Sequence, residues 1–258
     1  MLYIVGTPIG NLEDISLRAL RILGEVDFIL CEDTRVTKKL LEHYKIKTPV
    51  ISYHQHSDFS KTNYILGLLG EGKDLALVSD AGTPGISDPG GKLVQAVLER
   101  FGEDMKIESV PGPSAVTAAL SISGIPTDKF IFLGFPPHKK GRQTFLKKII
   151  ESNYPVVVYE SKHRIVKFLE ELDKIEKNVN ADKNQGEEEQ ITNYKLQITN
   201  KIQNSNLKKR GNLKSVVVCR ELSKMHETIY RGKMEDIINK IKDSRDDQKG
   251  EFVVIIGK

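Results

Sequence analysis

Cysteine is nearly absent from this 258-residue sequence, which contains only Cys31 and Cys219. Each lies in a strand-like run of apolar residues, so both are predicted to be small, buried hydrophobic side chains. The sequence shows no spacing typical of metal ligands, and no metal is expected.

Long hydrophobic runs are also missing. The longest, residues 155–159 and 252–256, are far shorter than the roughly 20 residues that cross a bilayer. The amino terminus enters a strand-like segment without a charged leader or cleavage site, so a cytoplasmic protein with no membrane partner is expected.

A strong charge bias is missing too, because the net charge is only +4. That value does not distinguish a nucleic-acid-binding protein from any other basic enzyme.

Glycine and proline, in contrast, are concentrated in residues 79–90, Ser-Asp-Ala-Gly-Thr-Pro-Gly-Ile-Ser-Asp-Pro-Gly. This loop follows a strand-like apolar run and precedes a helical pattern. In open α/β sheets, ligands bind at the carboxyl ends of the strands, where such loops lie. The loop has neither the lysine of a phosphate-binding P-loop nor the spacing G-x-G-x-x-G. We therefore predict a ligand other than a triphosphate.

Two more loops of this kind follow strand-like segments, at residues 6–11 and 111–114. Each loop alone could be a turn that binds nothing. Three of them, each between a predicted strand and a predicted helix, favour one shared crevice.

The sequence predicts two α/β domains, residues 1–111 and 112–258. In the first, strands are predicted at 2–6, 26–31, 49–52, 75–79 and 107–110, and helices near 14–23, 36–44, 60–70 and 90–101. This alternation indicates a mainly parallel sheet, and Asp14 is predicted to cap the first helix.

The second domain is predicted to contain a mixed sheet. Its strands are expected at 130–133, 155–159, 215–219, 228–231 and 251–256, with helices near 113–122, 141–151, 162–173 and 233–242. Residues 176–213 are polar and partly repeated, which is typical of a disordered insert.

Several segments closely resemble the tetrapyrrole-methylase superfamily. They are Leu2 to Ile15, Glu32 to Arg35, Ser52 to His54, residues 79–90, Pro111 to Ser114, Gly134 to Pro136, Tyr159 to Arg164 and Arg220 to Glu227. The resemblance covers about 1–173 and 214–258, and within the superfamily it is to bacterial enzymes that methylate small-subunit ribosomal RNA.

The resemblance implies S-adenosylmethionine as cofactor, bound in a cleft between the two domains. It also implies 2'-O-methylation of a cytidine ribose in the decoding region of 16S rRNA, on naked rRNA or the small ribosomal subunit, by a homodimer. A methylase of a small tetrapyrrole and a non-catalytic rRNA-binding assembly factor with the same fold are the alternatives.

By similarity, thirteen residues are candidates for cofactor binding. They are Pro8, Ile9, Gly10, Ser79, Asp80, Gly82, Thr83, Pro84, Ile86, Ser114, Ala115, Tyr159 and Leu222. Thr83 replaces an aspartate that many tetrapyrrole relatives carry, so Asp80 is a candidate for the ribose contact. Equally, Asp80 could brace the loop through an Asx-type hydrogen bond.

Glu32, Asp33, Arg35 and His54 are candidates for catalysis. Either carboxylate could accept the proton of a ribose hydroxyl, while Arg35 could bind a phosphate. A structural ion pair of Asp33 with Arg35 is the alternative. His54 and His56 could accept a proton or contact RNA, although surface histidines are usually inert.

The candidates for RNA binding are the basic residues Lys139, Lys140, Arg142, Lys162, His163 and Arg164. They could contact phosphates, and a solvated surface is the alternative. Phe135 and Tyr159 could stack on an exposed base, although core packing is favoured for Phe135. A structural role at a domain interface is at least as compatible as a role in the site with the positions of Glu160, Arg220 and Glu221 at strand ends.

Overall fold

The computed structural model describes residues 1–54, 59–88, 90–178 and 215–257. The chain divides into two compact units. The first is Met1–Ala118 with Leu222–Met225, and the second is Ala119–Glu221 with His226–Lys258. The assignment of separate domains to 1–111 and 112–258 stays a prediction.

The first unit is built on a parallel five-stranded sheet. Its strands are β1 (Leu2–Val5), β2 (Phe28–Cys31), β3 (Val50–Ser52), β4 (Leu75–Leu77) and β5 (Ile107–Val110). Their order is β3-β2-β4-β1-β5, and each neighbouring pair is parallel. The predicted mainly parallel sheet is confirmed.

Helices cover both faces of this sheet. They are α1 (Leu17–Glu25), α2 (Thr34–His43), α3 (Phe59–Gly70) and α4 (Gly91–Phe101). Buried residues of α1 and α2 pack with Val5 on one face, and those of α3 and α4 pack with Leu2 on the other. Neighbouring strands β1 and β4 thus lead to helices on opposite faces. Such a switch point opens a crevice at the carboxyl ends of the strands.

The first helix begins later than the sequence predicted. Asn11 Oδ1 accepts the Glu13 N–H at 3.1 Å and caps a 3-10 turn, Leu12–Asp14. Ser16 Oγ then accepts the Ala19 N–H at 3.0 Å and caps α1. The prediction that Asp14 caps the helix is wrong. The predicted helix at 14–23 is replaced by a 3-10 turn that ends at Asp14 and by α1, and each has its own cap.

The second unit contains a mixed sheet, as predicted. Its strands are β6 (Ile131–Phe132), β7 (Val156–Ser161), β8 (Val216–Arg220), β9 (Thr228–Gly232) and β10 (Glu251–Ile256). Their order is β6-β7-β10-β8-β9, in which β6 and β7 are parallel and the other pairs antiparallel.

Four more helices follow β5 in the residues that the structure describes. They are α5 (Ala115–Ser123), α6 (Arg142–Glu151), α7 (residues 165–178) and α8 (Met234–Asp243). The last three share one core cluster with the second sheet, in which Leu146, Phe168 and Ile241 are fully buried. Helix α7 includes residues 176–178 of the predicted disordered insert, and the rest of that insert lies outside the described residues.

Both cysteines are free and buried, which confirms their prediction as core residues. Burial raises the pKa of Cys219 to about 11 and also raises that of Cys31. Within the described ranges, no helix has both the length and the apolar character needed to cross a membrane.

Candidate active site

The loops that follow β1 and β4 are joined by main-chain hydrogen bonds. The Thr7 N–H donates to the Gly82 carbonyl at 2.9 Å, and the Gly82 N–H donates back to Thr7 at 3.1 Å. The buried Thr7 hydroxyl also donates to the Ser79 carbonyl at 3.1 Å. These bonds hold the two loops together beside the switch point of the sheet.

The loop after β5 reaches the first loop through a contact between two glycines. A Cβ on Gly6 would lie 2.8 Å from Gly112 Cα, and a Cβ on Gly112 would lie 2.8 Å from the Gly6 carbonyl oxygen. A side chain at either position would separate the two backbones. The Thr83 hydroxyl donates to the Pro113 carbonyl at 3.4 Å. The three loops therefore come together, as their positions in the sequence predicted.

A fourth segment, Leu222–Met225, belongs to the same unit. The Leu222 carbonyl oxygen lies 3.1 Å from the position of a Cβ on Gly10, where Lys224 also makes a contact. The Ser223 hydroxyl donates to the Asp14 carboxylate, 209 positions away in sequence. Sequence reasoning selected Leu222 but missed Ser223 and Lys224, because no local pattern marks so distant a contact.

The candidate cofactor residues of this unit differ in exposure. Pro8, Ser79, Gly82, Pro84 and Leu222 are buried, Ile9, Thr83, Ser114 and Ala115 are half-buried, and Gly10, Asp80 and Ile86 are exposed. Tyr159 belongs to the second unit, where its ring packs between those of Phe132 and Phe135. The roles of these residues in cofactor binding stay predictions.

Asp33 and Arg35 form an ion pair at the start of α2. An Asp33 carboxylate oxygen accepts the Arg35 backbone N–H at 2.8 Å, and the guanidinium lies 2.6 Å from the other oxygen. Hydrogen bonds from Arg35 lower the pKa of Asp33 to about 2. Asp33 therefore caps the helix and is a weak proton acceptor, which favours the structural alternative.

Glu32 has the opposite electrostatic environment. Partial burial raises the pKa of this half-buried carboxyl group, and the nearby negative charge of Asp80 raises it further. Asp80 Oδ1 accepts the Asp33 N–H at 3.1 Å, which links the ends of β4 and β2. A raised pKa makes Glu32 a stronger base than an ordinary glutamate.

The histidines lie at the end of β3. His54 is exposed, and its Nε2 is 2.7 Å from the Ser52 hydroxyl. The charge of His54 partly opposes the rise in the pKa of Glu32. His56 lies outside the described residues.

The loop residues fit S-adenosylmethionine, a nucleoside that carries a sulfonium cation. Exposed Ile86 and half-buried Ile9 supply apolar surface for an adenine, and the exposed Asp80 carboxylate suits a ribose hydroxyl. Gly10 has no Cβ, and the position that a Cβ would take is occupied by Lys224 and by the backbone of Leu222 and Ser223, so glycine here admits the 222–225 segment beside the first loop. In the described part of the chain, no three His, Cys, Asp or Glu side chains are placed to hold a metal ion.

The basic residues of the second unit fall into two groups. Lys139, Lys140, Lys162 and His163 are exposed, whereas Arg142 is only 7% exposed and Arg164 is half-buried. Arg142 Nε donates to Glu171 at 2.6 Å, and Arg164 Nη2 lies 2.9 Å from Glu160. Arg142 and Arg164 are therefore paired with carboxylates of their own unit, and the role of the six residues in RNA binding stays a prediction.

The structure also bears on the interpretation of Phe135 and on that of Arg220 and Glu221. Phe135 is 51% exposed, so the interpretation of its ring as core packing is wrong. Buried Arg220 donates to the carbonyl oxygens of Lys249 at 2.7 Å and His226 at 3.0 Å. Arg220 and Glu221, whose carboxylate accepts the Glu251 N–H at 2.8 Å, brace the loops of the second unit.

Residues 1–238 match the family model of tetrapyrrole (corrin/porphyrin) methylases. Among solved structures, the fold is similar to cobalt precorrin-4 methyltransferase, with a TM-score of 0.61 and 20% identity over 99% of this chain and 94% of that one. Uroporphyrin-III-C-methyltransferase from Thermus thermophilus gives a TM-score of 0.56 and 17% identity over 100% and 94%. These structures support the two-domain α/β fold.

Similar sequences extend over the whole chain. Ribosomal RNA small subunit methyltransferase I from a Hydrogenobaculum species is 40% identical, covering 100% of this chain and 95% of the relative. The proteins of the same name from Thermotoga maritima and Escherichia coli O157:H7 are 39% and 37% identical over 99% of this chain, and over 97% and 77% of their own lengths. The chain therefore belongs to the tetrapyrrole methylase family and, within it, to the group of ribosomal RNA small subunit methyltransferase I.

Proposed function

We propose that this protein uses S-adenosylmethionine to methylate the 2'-hydroxyl of a cytidine in the decoding region of 16S rRNA. The full-length similarity to ribosomal RNA small subunit methyltransferase I, at 40% identity, carries the assignment of the substrate class. The cytidine and its ribose hydroxyl follow from the resemblance of the motifs.

The chain's main catalytic contribution is positioning. When bound, S-adenosylmethionine supplies an activated methyl group. The three glycine and proline loops hold the cofactor, and their backbones are fixed to one another before it binds. Well-oriented reactants lower a reaction barrier by about 7–11 kcal/mol relative to free encounter. The contacts of Gly6 with Gly112 and of Thr7 with Gly82 keep this geometry rigid.

Glu32 is the proton acceptor in this proposal. As the ribose oxygen gains the methyl group, the hydroxyl proton passes to the Glu32 carboxylate. The raised pKa of Glu32 supports this choice over Asp33, whose pKa is about 2. Asp80 holds the Asp33 backbone and also faces solvent, so it remains the candidate for the ribose of the cofactor.

Methylation of small ribosomal subunits that lack the modification tests the function. The protein is incubated with these subunits, with naked 16S rRNA or with a porphyrinoid, each in the presence of labelled cofactor. We expect label in a 2'-O-methylated cytidine, identified by nuclease digestion and mass spectrometry. Label that enters only a porphyrinoid would support a tetrapyrrole methylase. Absence of calorimetric heat with S-adenosylhomocysteine would instead support a non-catalytic factor.

The exposed lysines of the second unit give a separate prediction. Replacing Lys139 and Lys140 with glutamate should weaken binding to single-stranded RNA. It should also reduce the slope of log affinity against log salt by about 1.4, at about 0.7 for each lost phosphate contact. Fluorescence anisotropy at several salt concentrations measures both quantities.

The double variant Lys174→Glu and Lys240→Glu is the matched control. It makes the same change in net charge at two exposed positions outside the candidate RNA surface. Its salt slope should equal that of the wild type, and both variants should keep the wild-type affinity for S-adenosylhomocysteine. Equal loss of RNA affinity in both variants would contradict a localised contact.

The enzyme is further proposed to be a cytoplasmic homodimer, as the resemblance implies. Light scattering of the purified protein should give about twice the mass of one chain. A monomeric mass at assay concentrations would contradict the dimer without affecting the assignment of activity.

A further inference from the structure

Phe135 presents an aromatic ring to solvent in the second unit. The residue is 51% exposed, although its ring packs against that of Tyr159 with centroids 5.4 Å apart. Tyr159 is supported in turn by Phe132, whose ring centroid lies 5.0 Å away in an edge contact. Phe135 is therefore supported by an aromatic ring while about half of the residue is open to solvent.

The loop that carries this ring, residues 134–141, is held by its carbonyl groups. The Gly134 carbonyl accepts the Tyr159 N–H at 3.0 Å. The Pro136 carbonyl accepts from Arg164 Nη1 at 3.3 Å, and the Pro137 carbonyl accepts from Arg142 Nη1 at 3.1 Å. Because two prolines also restrict the backbone, a ligand that binds Phe135 has little loop entropy to remove.

The carboxylates of Glu160 and Glu171 compensate the two arginines. Glu160, which is 1% exposed, lies 2.9 Å from Arg164 Nη2 and 4.0 Å from Arg142 Nη1. Glu171 accepts from Arg142 Nε at 2.6 Å. Because they are paired with carboxylates, the guanidinium groups can remain inside the unit. From there they hold the loop by donating to the carbonyls of Pro136 and Pro137.

Basic side chains are exposed in the same loop as the ring and in the turn before α7. Lys139 and Lys140 are exposed in the same loop, and Lys162 and His163 are exposed in the turn that precedes Arg164. An exposed aromatic ring in a loop that also carries exposed lysines is the chemistry that recognises single-stranded RNA, since bases stack and phosphates pair with lysines.

We propose that the 134–141 loop is a stacking platform for one unpaired nucleobase of the RNA substrate. Phe135 contacts the base, Lys139 and Lys140 contact neighbouring phosphates, and Arg142 and Arg164 are positioning residues. The platform rests on the proposed function, in which the substrate is RNA.

Binding of labelled oligocytidylate, compared with an abasic ribose-phosphate oligomer of equal length, tests the platform. Phe135→Ala should weaken oligocytidylate binding by about 5- to 150-fold, the range for loss of one base-stacking contact, and leave the abasic probe unaffected. Phe135→Trp should retain binding, whereas Phe135→Leu should resemble the alanine variant. Phe130→Ala, at a residue 41% exposed, is the matched control and should bind as the wild type does.

The positioning role of Arg142 is tested by combining a substitution there with Phe135→Ala. Arg142→Lys keeps the charge but loses the forked donor, so the effect of Phe135→Ala should become smaller in that background. An undiminished effect would contradict the role of Arg142. Equal weakening of both probes by Phe135→Ala, or an equal loss of S-adenosylhomocysteine affinity, would overturn the platform.

The proposed function is separable from the platform by the methylation assay. If wild-type protein methylates rRNA while Phe135→Ala leaves oligocytidylate binding unchanged, the platform is wrong and the function stands. If wild-type protein methylates no RNA while the difference between the two probes is present, the proposed activity is wrong, and the loop binds a nucleobase of an RNA that the protein does not methylate.

Discussion

Glu32→Gln should reduce the rate of methyl transfer by about 10²- to 10⁴-fold, the usual contribution of a positioned base. The amide has nearly the same shape but cannot accept the proton, so affinity for S-adenosylhomocysteine should stay unchanged. Single-turnover transfer to small ribosomal subunits measures the rate, and calorimetry measures the affinity.

The pH dependence of this reaction follows from the pKa of Glu32. Burial raises that pKa, so the group is protonated and inactive at low pH and becomes an active base as pH rises. The wild-type rate should therefore rise with pH, with a midpoint above that of an ordinary glutamate. In Glu32→Gln this dependence should disappear.

Asp33→Asn is the matched control for Glu32→Gln. Asparagine also caps helices, so the start of α2 should persist while the charge that pairs with Arg35 is lost. Because the pKa of Asp33 is about 2, its loss should affect the rate much less than loss of Glu32. An equal or larger effect of Asp33→Asn would show that the base has been assigned to the wrong carboxylate.

Gly112→Ala should separate two of the three loops. The new Cβ would lie 2.8 Å from the Gly6 carbonyl oxygen and 2.9 Å from Gly6 Cα. Relief of such a contact requires a shift of the backbone, and overpacking of this kind typically costs about 1–3 kcal/mol of stability. We expect a lower thermal midpoint together with a loss of S-adenosylhomocysteine affinity, measured by calorimetry.

Gly24→Ala separates this local effect from a general sensitivity to alanine. Gly24 lies in α1, is exposed, and has no atom within 4 Å of its Cβ position. Alanine should stabilise that helix by about 0.5–1 kcal/mol and leave cofactor affinity unchanged. If Gly112→Ala bound cofactor as well as Gly24→Ala, the junction of the loops would have no part in the site.

The strands and the three loops were predictable from sequence because their signals are local. Apolar runs such as residues 75–78 mark strands, and the glycine and proline residues that follow mark the loops. The parallel arrangement of the strands then brings the loops to one edge. The bridge between Thr7 and Gly82 is the consequence of that arrangement.

The contacts that sequence reasoning missed depend on packing over long distances. Arg142 and Lys140 are both cations in one basic stretch, but only Arg142 meets the carboxylates of Glu160 and Glu171. The Ser223 hydroxyl donates to the Asp14 carboxylate, although the two residues lie 209 positions apart in sequence. No spacing rule separates a buried cation from an exposed one until the helices are packed.

A crystal structure of the protein with bound S-adenosylhomocysteine would show whether the three glycine and proline loops form the cofactor site. We expect the sulfur to lie against the loops formed by residues 6–11, 79–88 and 111–114, with the Glu32 carboxylate facing the space where the methyl group would be. Cofactor bound on another face of the first unit, away from the junction of Gly6 with Gly112, would contradict this expectation.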